Sequence, residues 1–389
     1  MEVNSMKFSR LTSFVDHLED IYGIPYCDIS IYQEHEEIFR RSSGYTDLER
    51  TKRPDDQDLY WLYSVSKVSL TVMILQLVEQ GELRLDDPVC KYIPEAGRLQ
   101  IRTETGLKPC AHQATIEDYL AMQGGLKYNV ERSDILSYTR ENPAASTRDV
   151  IHRWLTIPLD FEPGTRFQYS MCHDVLGAVI EVVTGRRLQD HIQEAIAKPL
   201  GMQDLDYGIR PEKKDRMVQQ YEYDPLQNFT SVRKKKLYPI SSFQNHFILG
   251  ENYDCAGAGL VTRVSDYILL ADALANDGIG WNGTRILTRE SIDNMRRSRL
   301  DTPQKKTDYR KGMDFGYEYG LGVRTLVYPE TSKSPVGEFG WDGYAGVFLL
   351  ADVENRLSML FAMSVGNMSP AKQVHHRMRD LMYEGLKTK

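Results

Sequence analysis

The sequence predicts an α+β fold. An antiparallel sheet, flanked by helices and built from both ends of the chain, would carry a mainly helical insertion. Three observations lead there. Strand-like runs lie near residues 28–33 and 38–41, and again at 318–325, 336–341, 346–352 and 357–365. Helical patterning dominates the stretch between them. One segment, 64–82, carries Val68, Leu70, Met73, Ile74, Leu77 and Val78 on more than one face, which predicts a largely buried helix.

Taken in order, residues 8–22 place Leu11, Phe14, Val15, Leu18 and Tyr22 at helical spacing, and Gly23 and Pro25 stop that helix. The two N-terminal strands end at Gly44, and a polar loop leads to Tyr60-Trp61-Leu62-Tyr63. After the buried helix, ended by Gly81, helices are expected at 115–122, 147–156, 171–183 and 187–197, separated by turns such as Glu162-Pro163-Gly164. The stretch 205–250 is polar, aromatic and irregular, and reads as a long active-site loop or an inserted lobe. Helices near 264–276 and 289–298 precede the C-terminal strands, with Glu354-Asn355 turning the last two into a hairpin and a final helix over 371–386. Residues 1–84 and 250–389 are therefore expected to form an α/β subdomain and 85–249 a helical one, the whole acting as a single unit.

Composition excludes several classes. The 389 residues are 41% hydrophobic and 26% charged, as in ordinary globular proteins. The net charge of -7, from 48 basic and 55 acidic residues, argues against a nucleic-acid binder. The run Arg233-Lys234-Lys235-Lys236 reads as a solvated loop. No stretch is apolar enough for a membrane span. The N-terminus lacks the apolar core of a secretory signal, and the five cysteines are odd in number without CxxC spacing, so free thiols and a cytoplasmic location are expected. His375 and His376 are neighbours rather than an i, i+4 pair, and the other histidines are scattered; no metal and no cofactor are expected.

Chemistry concentrates in three strings. In Tyr63-Ser64-Val65-Ser66-Lys67, Ser64 and Lys67 share one face at the start of the buried helix. A serine hydroxyl is a poor nucleophile until a base takes its proton, and a neutral lysine amine can do so. The partial positive charge of the helix N-terminus favours an alkoxide-like Ser64 oxygen and disfavours an ammonium at Lys67. The second string, Phe161 to Ser170, places Tyr169 on a turn just before a helix, where its phenol can relay a proton. The third, Phe339-Gly340-Trp341-Asp342-Gly343-Tyr344-Ala345-Gly346, is a glycine-rich strand able to lie along a cleft and donate a backbone N–H to an acyl oxygen, beside the N–H of Ser64.

Three strings in this order resemble the serine β-lactamase and penicillin-binding-protein superfamily, whose signature includes S-x-x-K. They are most similar to the branch holding class C β-lactamases, family VIII carboxylesterases, D-aminopeptidases and related acyltransferases. The resemblance implies the β-lactamase/transpeptidase-like fold, with Ser64 acylated, Lys67 as base and Tyr169 in the tyrosine place of Y-x-N. Trp341-Asp342-Gly343 would fill the K-T-G place, making the N–H groups of Ser64 and Tyr344 the oxyanion hole. Two departures bear on substrate: Met171 replaces the asparagine of Y-x-N, and Trp341 replaces the lysine of K-T-G. A lost charged hydrogen bond in such a site costs about 2–3 kcal/mol of binding, which disfavours anionic β-lactams. The expected activity is a carboxylesterase or ester-dependent acyltransferase acting on a small-molecule ester, with Tyr63, Met171, Trp341, Asp342 and Gly343 binding substrate. The alternatives are a β-lactamase or D-amino-acid amidase with the same mechanism on an amide, and a penicillin-binding or sensor-type homologue without turnover.

Overall fold

Side chains that alternate along the strands of one sheet divide the molecule's core in two. The computed structural model describes residues 7–128, 132–223, 237–313, 315–366 and 371–387; the basic run 233–236 lies outside them. Seven strands form the main sheet: β1 (Tyr26–Gln33), β2 (Glu36–Gly44), β3 (Tyr317–Tyr319), β4 (Arg324–Leu326), β5 (Phe339–Asp342), β6 (Phe348–Asp352) and β7 (Leu357–Ala362). Their spatial order is β3-β4-β5-β6-β7-β1-β2, antiparallel throughout. The N-terminal hairpin thus joins the C-terminal meander through β1 and β7, with Ile29 opposite Phe361. The sheet is built from both ends of the chain, as expected.

Five helices matter for the site: α1 (Ser9–Asp16), α2 (Ser66–Glu79), α3 (Cys172–Thr184), α4 (Val264–Ala275) and α5 (Ala371–Lys387). On one face of the sheet, Ile29, Ile31, Phe348, Leu350, Met359 and Phe361 pack with Leu11, Val15, Met378 and Met382 of α1 and α5. On the other, Leu349, Ala351, Leu360 and Ala362 join the larger core beneath α4 and α2. Helix α2 is buried without interruption from Ser66 through Leu75, as its all-round apolar sequence requires.

Several boundaries differ from expectation for local reasons. The run 318–325 is two strands, because the chain reverses at Gly320–Gly322. Gly322 has φ +70, and a Cβ there would come within 2.2 Å of Thr71 Oγ1. The helix expected from residue 64 opens with a 3-10 turn, Tyr63–Val65, before α2 proper. The helix expected over 8–22 breaks at His17, and the one expected over 187–197 runs as Leu188–Ile192 followed by a π-helical turn, Gln193–Ala197. Helices at Ser133–Glu141 and Pro303–Arg310 were not anticipated. Within 205–250, Leu205–Tyr207 pairs with Leu260–Thr262, while Gln220–Tyr223 pairs with Leu237–Ile240 and with Val365–Gly366. Among the described residues no helix is long and apolar enough to cross a membrane, and all five cysteines are free.

Candidate active site

Ser64 stands in the tight turn that feeds α2. The turn is fixed on both sides. Tyr60–Trp61 pairs with Val261–Thr262, Leu62 N–H donates to Leu260 O at 2.9 Å, and Leu260 N–H donates to Ser66 Oγ at 3.1 Å. Tyr63, immediately before the serine, has φ +47, a conformation that costs a non-glycine residue roughly 1–2 kcal/mol. Its buried ring and its hydroxyl, which donates to Gln220 Oε1 at 2.7 Å, hold it there. Strain over-determined by its surroundings is a mark of functional turns.

One turn along, Lys67 is fully buried. Its Nζ lies 3.3 Å from Ser64 Oγ and donates to Gly257 O at 2.6 Å. Among the described residues it has no carboxylate within ion-pair distance. Asp174, in the first turn of α3, holds the same glycine by its N–H: its Oδ1 accepts Gly257 N–H at 3.3 Å, Tyr253 Oη–H at 2.9 Å and Cys255 Sγ–H at 3.3 Å. The position requires glycine, since a Cβ on residue 257 would sit 2.7 Å from Asp174 Oδ2 and 3.2 Å from Lys67 Nζ.

Aromatic rings enclose the amine. The Tyr169 ring centroid is 4.9 Å from Lys67 Nζ and that of Tyr128 is 5.7 Å away. Tyr169 is sandwiched between Tyr128, stacked at 5.4 Å, and Trp341, stacked at 5.6 Å. Its hydroxyl accepts the Trp341 indole N–H at 3.2 Å. Burial raises the Tyr128 phenol well above its ordinary value, partly opposed by a hydrogen bond with the Ser64 side chain.

The end of β5 lies on the backbone that leads into the serine. A Cβ on Gly343 would fall 2.4 Å from Leu62 O. The turn that follows is closed by Gly343 N–H to Val347 O at 2.8 Å and Gly346 N–H to Gly343 O at 2.9 Å, while the Tyr344 N–H makes no backbone hydrogen bond among the described residues.

The fold thus gathers Tyr63, Ser64, Lys67, Tyr169, Trp341, Gly343 and Tyr344. It places two other expected residues elsewhere. Strand alternation turns Asp342 to the opposite face of β5, 3.5 Å from the Arg324 guanidinium and 3.7 Å from His375. Met171 caps α3 from within the core and is 1% exposed. His173, at the start of α3, lies in the core. It is buried, with Nε2 against Leu120 O at 3.1 Å and Nδ1 without a partner among the described residues, and burial, then the nearby Lys67 charge, push it down to about 3. Sequence reasoning missed Tyr128, Gly257 and the inward role of Asp174. Gly257-Ala258-Gly259 hinted at a close approach, but nothing local says to which residue.

A protein-family comparison adds the remaining observation: the model described as Beta-lactamase matches residues 11–381. The chain belongs to the beta-lactamase family. Its relatives in that family include Esterase EstB of Burkholderia gladioli, 27% identical over 377 residues (91% of this chain, 90% of EstB). Another is the Lovastatin esterase of Penicillium rubens, 27% identical over 334 residues (82% and 77%). Among solved structures, EstCE1, described as a hydrolase with promiscuous acyltransferase activity, superposes with a TM-score of 0.79 at 22% identity over 98% of this chain and 100% of EstCE1. The fold is therefore that of the beta-lactamase family, whose members here include named esterases.

Proposed function

We propose that this beta-lactamase family chain is a serine hydrolase that forms an acyl-enzyme on Ser64, acting as a carboxylesterase or ester-dependent acyltransferase on small to medium acyl esters. The observation that carries the reading is the Lys67 amine, 3.3 Å from Ser64 Oγ and held by a neutral carbonyl rather than a carboxylate. Ser64 Oγ attacks the ester carbonyl carbon as Lys67 takes its proton. The N–H groups of Ser64 and Tyr344 hold the resulting oxyanion. Collapse expels the alkoxide, which takes a proton from Lys67 through Tyr169; water or an alcohol, giving its proton to the now neutral Lys67, then attacks the acyl carbon, and the C–O bond to Ser64 breaks as Lys67 returns that proton to Ser64 Oγ, releasing acid or a new ester. Tyr63, Trp341 and Gly343 line the acyl site, with Met171 behind them and Asp342 anchoring the strand from its far face. An indole where a lysine would meet a β-lactam carboxylate supports neutral esters over anionic β-lactams, and the esterase names among the relatives point the same way.

The test is a panel of short and medium p-nitrophenyl esters, a chromogenic cephalosporin and D-alanyl amides, with Ser64→Ala as control. Ester turnover lost in Ser64→Ala is expected, and new esters on adding alcohols would identify transfer. Cephalosporin or amide turnover well above ester turnover would reverse the reading.

A further inference from the structure

The direction of one oxyanion donor is decided one residue upstream. The Ser64 N–H belongs to the planar Tyr63–Ser64 peptide, so the Tyr63 dihedrals set where it points. Tyr63 holds φ +47, a left-handed conformation that a tyrosine leaves for ordinary α or β space unless something holds it. Strand pairing fixes Tyr60–Trp61 before it, and the Leu260 N–H on Ser66 Oγ fixes the start of α2 after it. Between these anchors Tyr63 carries the strained turn.

Gln220 grips the phenol of that residue. It lies on the strand Gln220–Tyr223 and is 2% exposed. Its Oε1 accepts the Tyr63 hydroxyl at 2.7 Å, a bond buried at both ends. Its Nε2 donates to the carbonyls of Ser241, Ser242 and Gln244 at 3.0, 3.3 and 2.9 Å. Those three oxygens can only accept, so the amide has one orientation: nitrogen toward the 241–244 segment, oxygen toward the phenol. Burial raises the Tyr63 phenol above its ordinary value, so the hydroxyl keeps its proton and stays a donor. An amide committed at both ends cannot turn without stranding buried polar atoms. Trp61 makes a second tie to the same segment, Nε1 to Ser242 O at 3.0 Å, without engaging the Tyr63 hydroxyl.

We propose that Gln220 is a positioning residue for the oxyanion hole: by fixing the Tyr63 phenol it holds the left-handed turn that aims the Ser64 N–H at the acyl oxygen. Gln220 touches no reacting atom and acts through Tyr63. The inference rests on the serine-hydrolase reading for the acyl oxygen itself. It gives the 205–250 stretch a part in the reaction, since Gln220 and the carbonyls it binds all belong to that stretch. A donor that slips out of line weakens the transition state and leaves the bound ester unaffected, so its loss falls on kcat rather than KM.

Two variants of the full chain test it, one at each end of the bond. Tyr63→Phe removes the hydroxyl and Gln220→Met removes its acceptor. Each should lower kcat for p-nitrophenyl acetate about tenfold with KM within about twofold. The double variant should fall no further than the weaker single one, because both break the same bond. Trp61→Phe releases Ser242 O but spares the Tyr63–Gln220 bond, so kcat per folded molecule should stay near wild type. The affinity for methylboronic acid, followed by boron NMR, reads the same geometry without any leaving group. Boron bonds to Ser64 Oγ as Lys67 takes the proton, giving a tetrahedral anion, and its affinity should fall with kcat in Tyr63→Phe and Gln220→Met. Unchanged kcat and boronate affinity in Tyr63→Phe, or a loss confined to KM, would overturn the assignment. A fall in Trp61→Phe as large as in Gln220→Met would also overturn it, by making Gln220 only a tie between segments. If Gln220→Met does not fold, Tyr63→Phe decides, since it leaves the Nε2 bonds in place. Boronate affinities that respond as expected without turnover of any ester count against the esterase reading and leave Gln220 its role. Ester turnover through Ser64 that neither variant alters does the reverse.

Discussion

Strand β5 separates two ways of burying a basic side chain. On the face toward α5, Arg379 is 1% exposed and donates to Tyr317 Oη at 2.6 Å and to Asp380 at 3.1 Å. Tyr317 in turn donates to Glu338 Oε2 at 2.7 Å, and Arg324, 2% exposed, lies 3.5 Å from Asp342 and 4.0 Å from Glu338. On the face toward α2, Lys67 is just as buried, but among the described residues its hydrogen-bond partners are a carbonyl and a serine hydroxyl, with aromatic rings beside it. The difference is one of purpose. Buried arginines fixed by carboxylates are structural, because removing one partner strands the other. In the proposed mechanism, the buried amine beside Ser64 is the one that exchanges a proton with the reacting groups.

The sharpest break between the two faces comes from methionine at each basic residue. Lys67→Met should lower ester turnover by about three orders of magnitude. It should leave the melting temperature unchanged or raised, since a buried polar group is replaced by an apolar one of similar length. Arg379→Met should do the opposite. It should cost about 3–5 kcal/mol of stability in denaturant titrations, while turnover per folded molecule falls far less than in Lys67→Met. If both variants lose stability alike, the contrast fails.

His173 sharpens the comparison from the acid side. Its folded value is depressed to about 3, against 6.5 for an ordinary imidazole. The folded state therefore refuses a proton that the unfolded chain accepts. Stability is fully present above the unfolded value and falls with pH below it, by on the order of 3 kcal/mol at about pH 4. His173→Gln, whose amide can still donate to Leu120 O, should flatten that acid limb of the melting curve; an unchanged limb would assign it to other groups.

The smallest effect is expected at Trp341. Trp341→Phe keeps the ring stacked on Tyr169 but removes the N–H that its hydroxyl accepts. Loss of one neutral hydrogen bond, about 1 kcal/mol, should lower kcat roughly fivefold with KM little changed. A KM effect alone would make the indole a substrate contact rather than a partner of Tyr169.

What the sequence revealed follows from range. Ser64 and Lys67 are one helical turn apart, so their proximity is local and readable. The strands carry their period-2 alternation in plain view, and Asp342 could have been assigned to the far face from Trp341 by that rule alone. Gly257 meets Lys67 across 190 residues, and Glu222 meets Tyr344 across 122. No pattern in either neighbourhood encodes such pairings, which exist only once β5, α2 and the 220–223 strand are packed. The break of 318–325 at Gly322 belongs to the same class, since it depends on Thr71 occupying the space a side chain would need.

The central claim is the acyl-enzyme on Ser64, and intact-mass spectrometry after rapid acid quenching of a p-nitrophenyl acetate reaction tests it most directly. A single acetyl group mapped to Ser64, formed with a burst of nitrophenol and absent in Ser64→Ala, is the predicted result. An adduct on another residue, or turnover undiminished in Ser64→Ala, would contradict it.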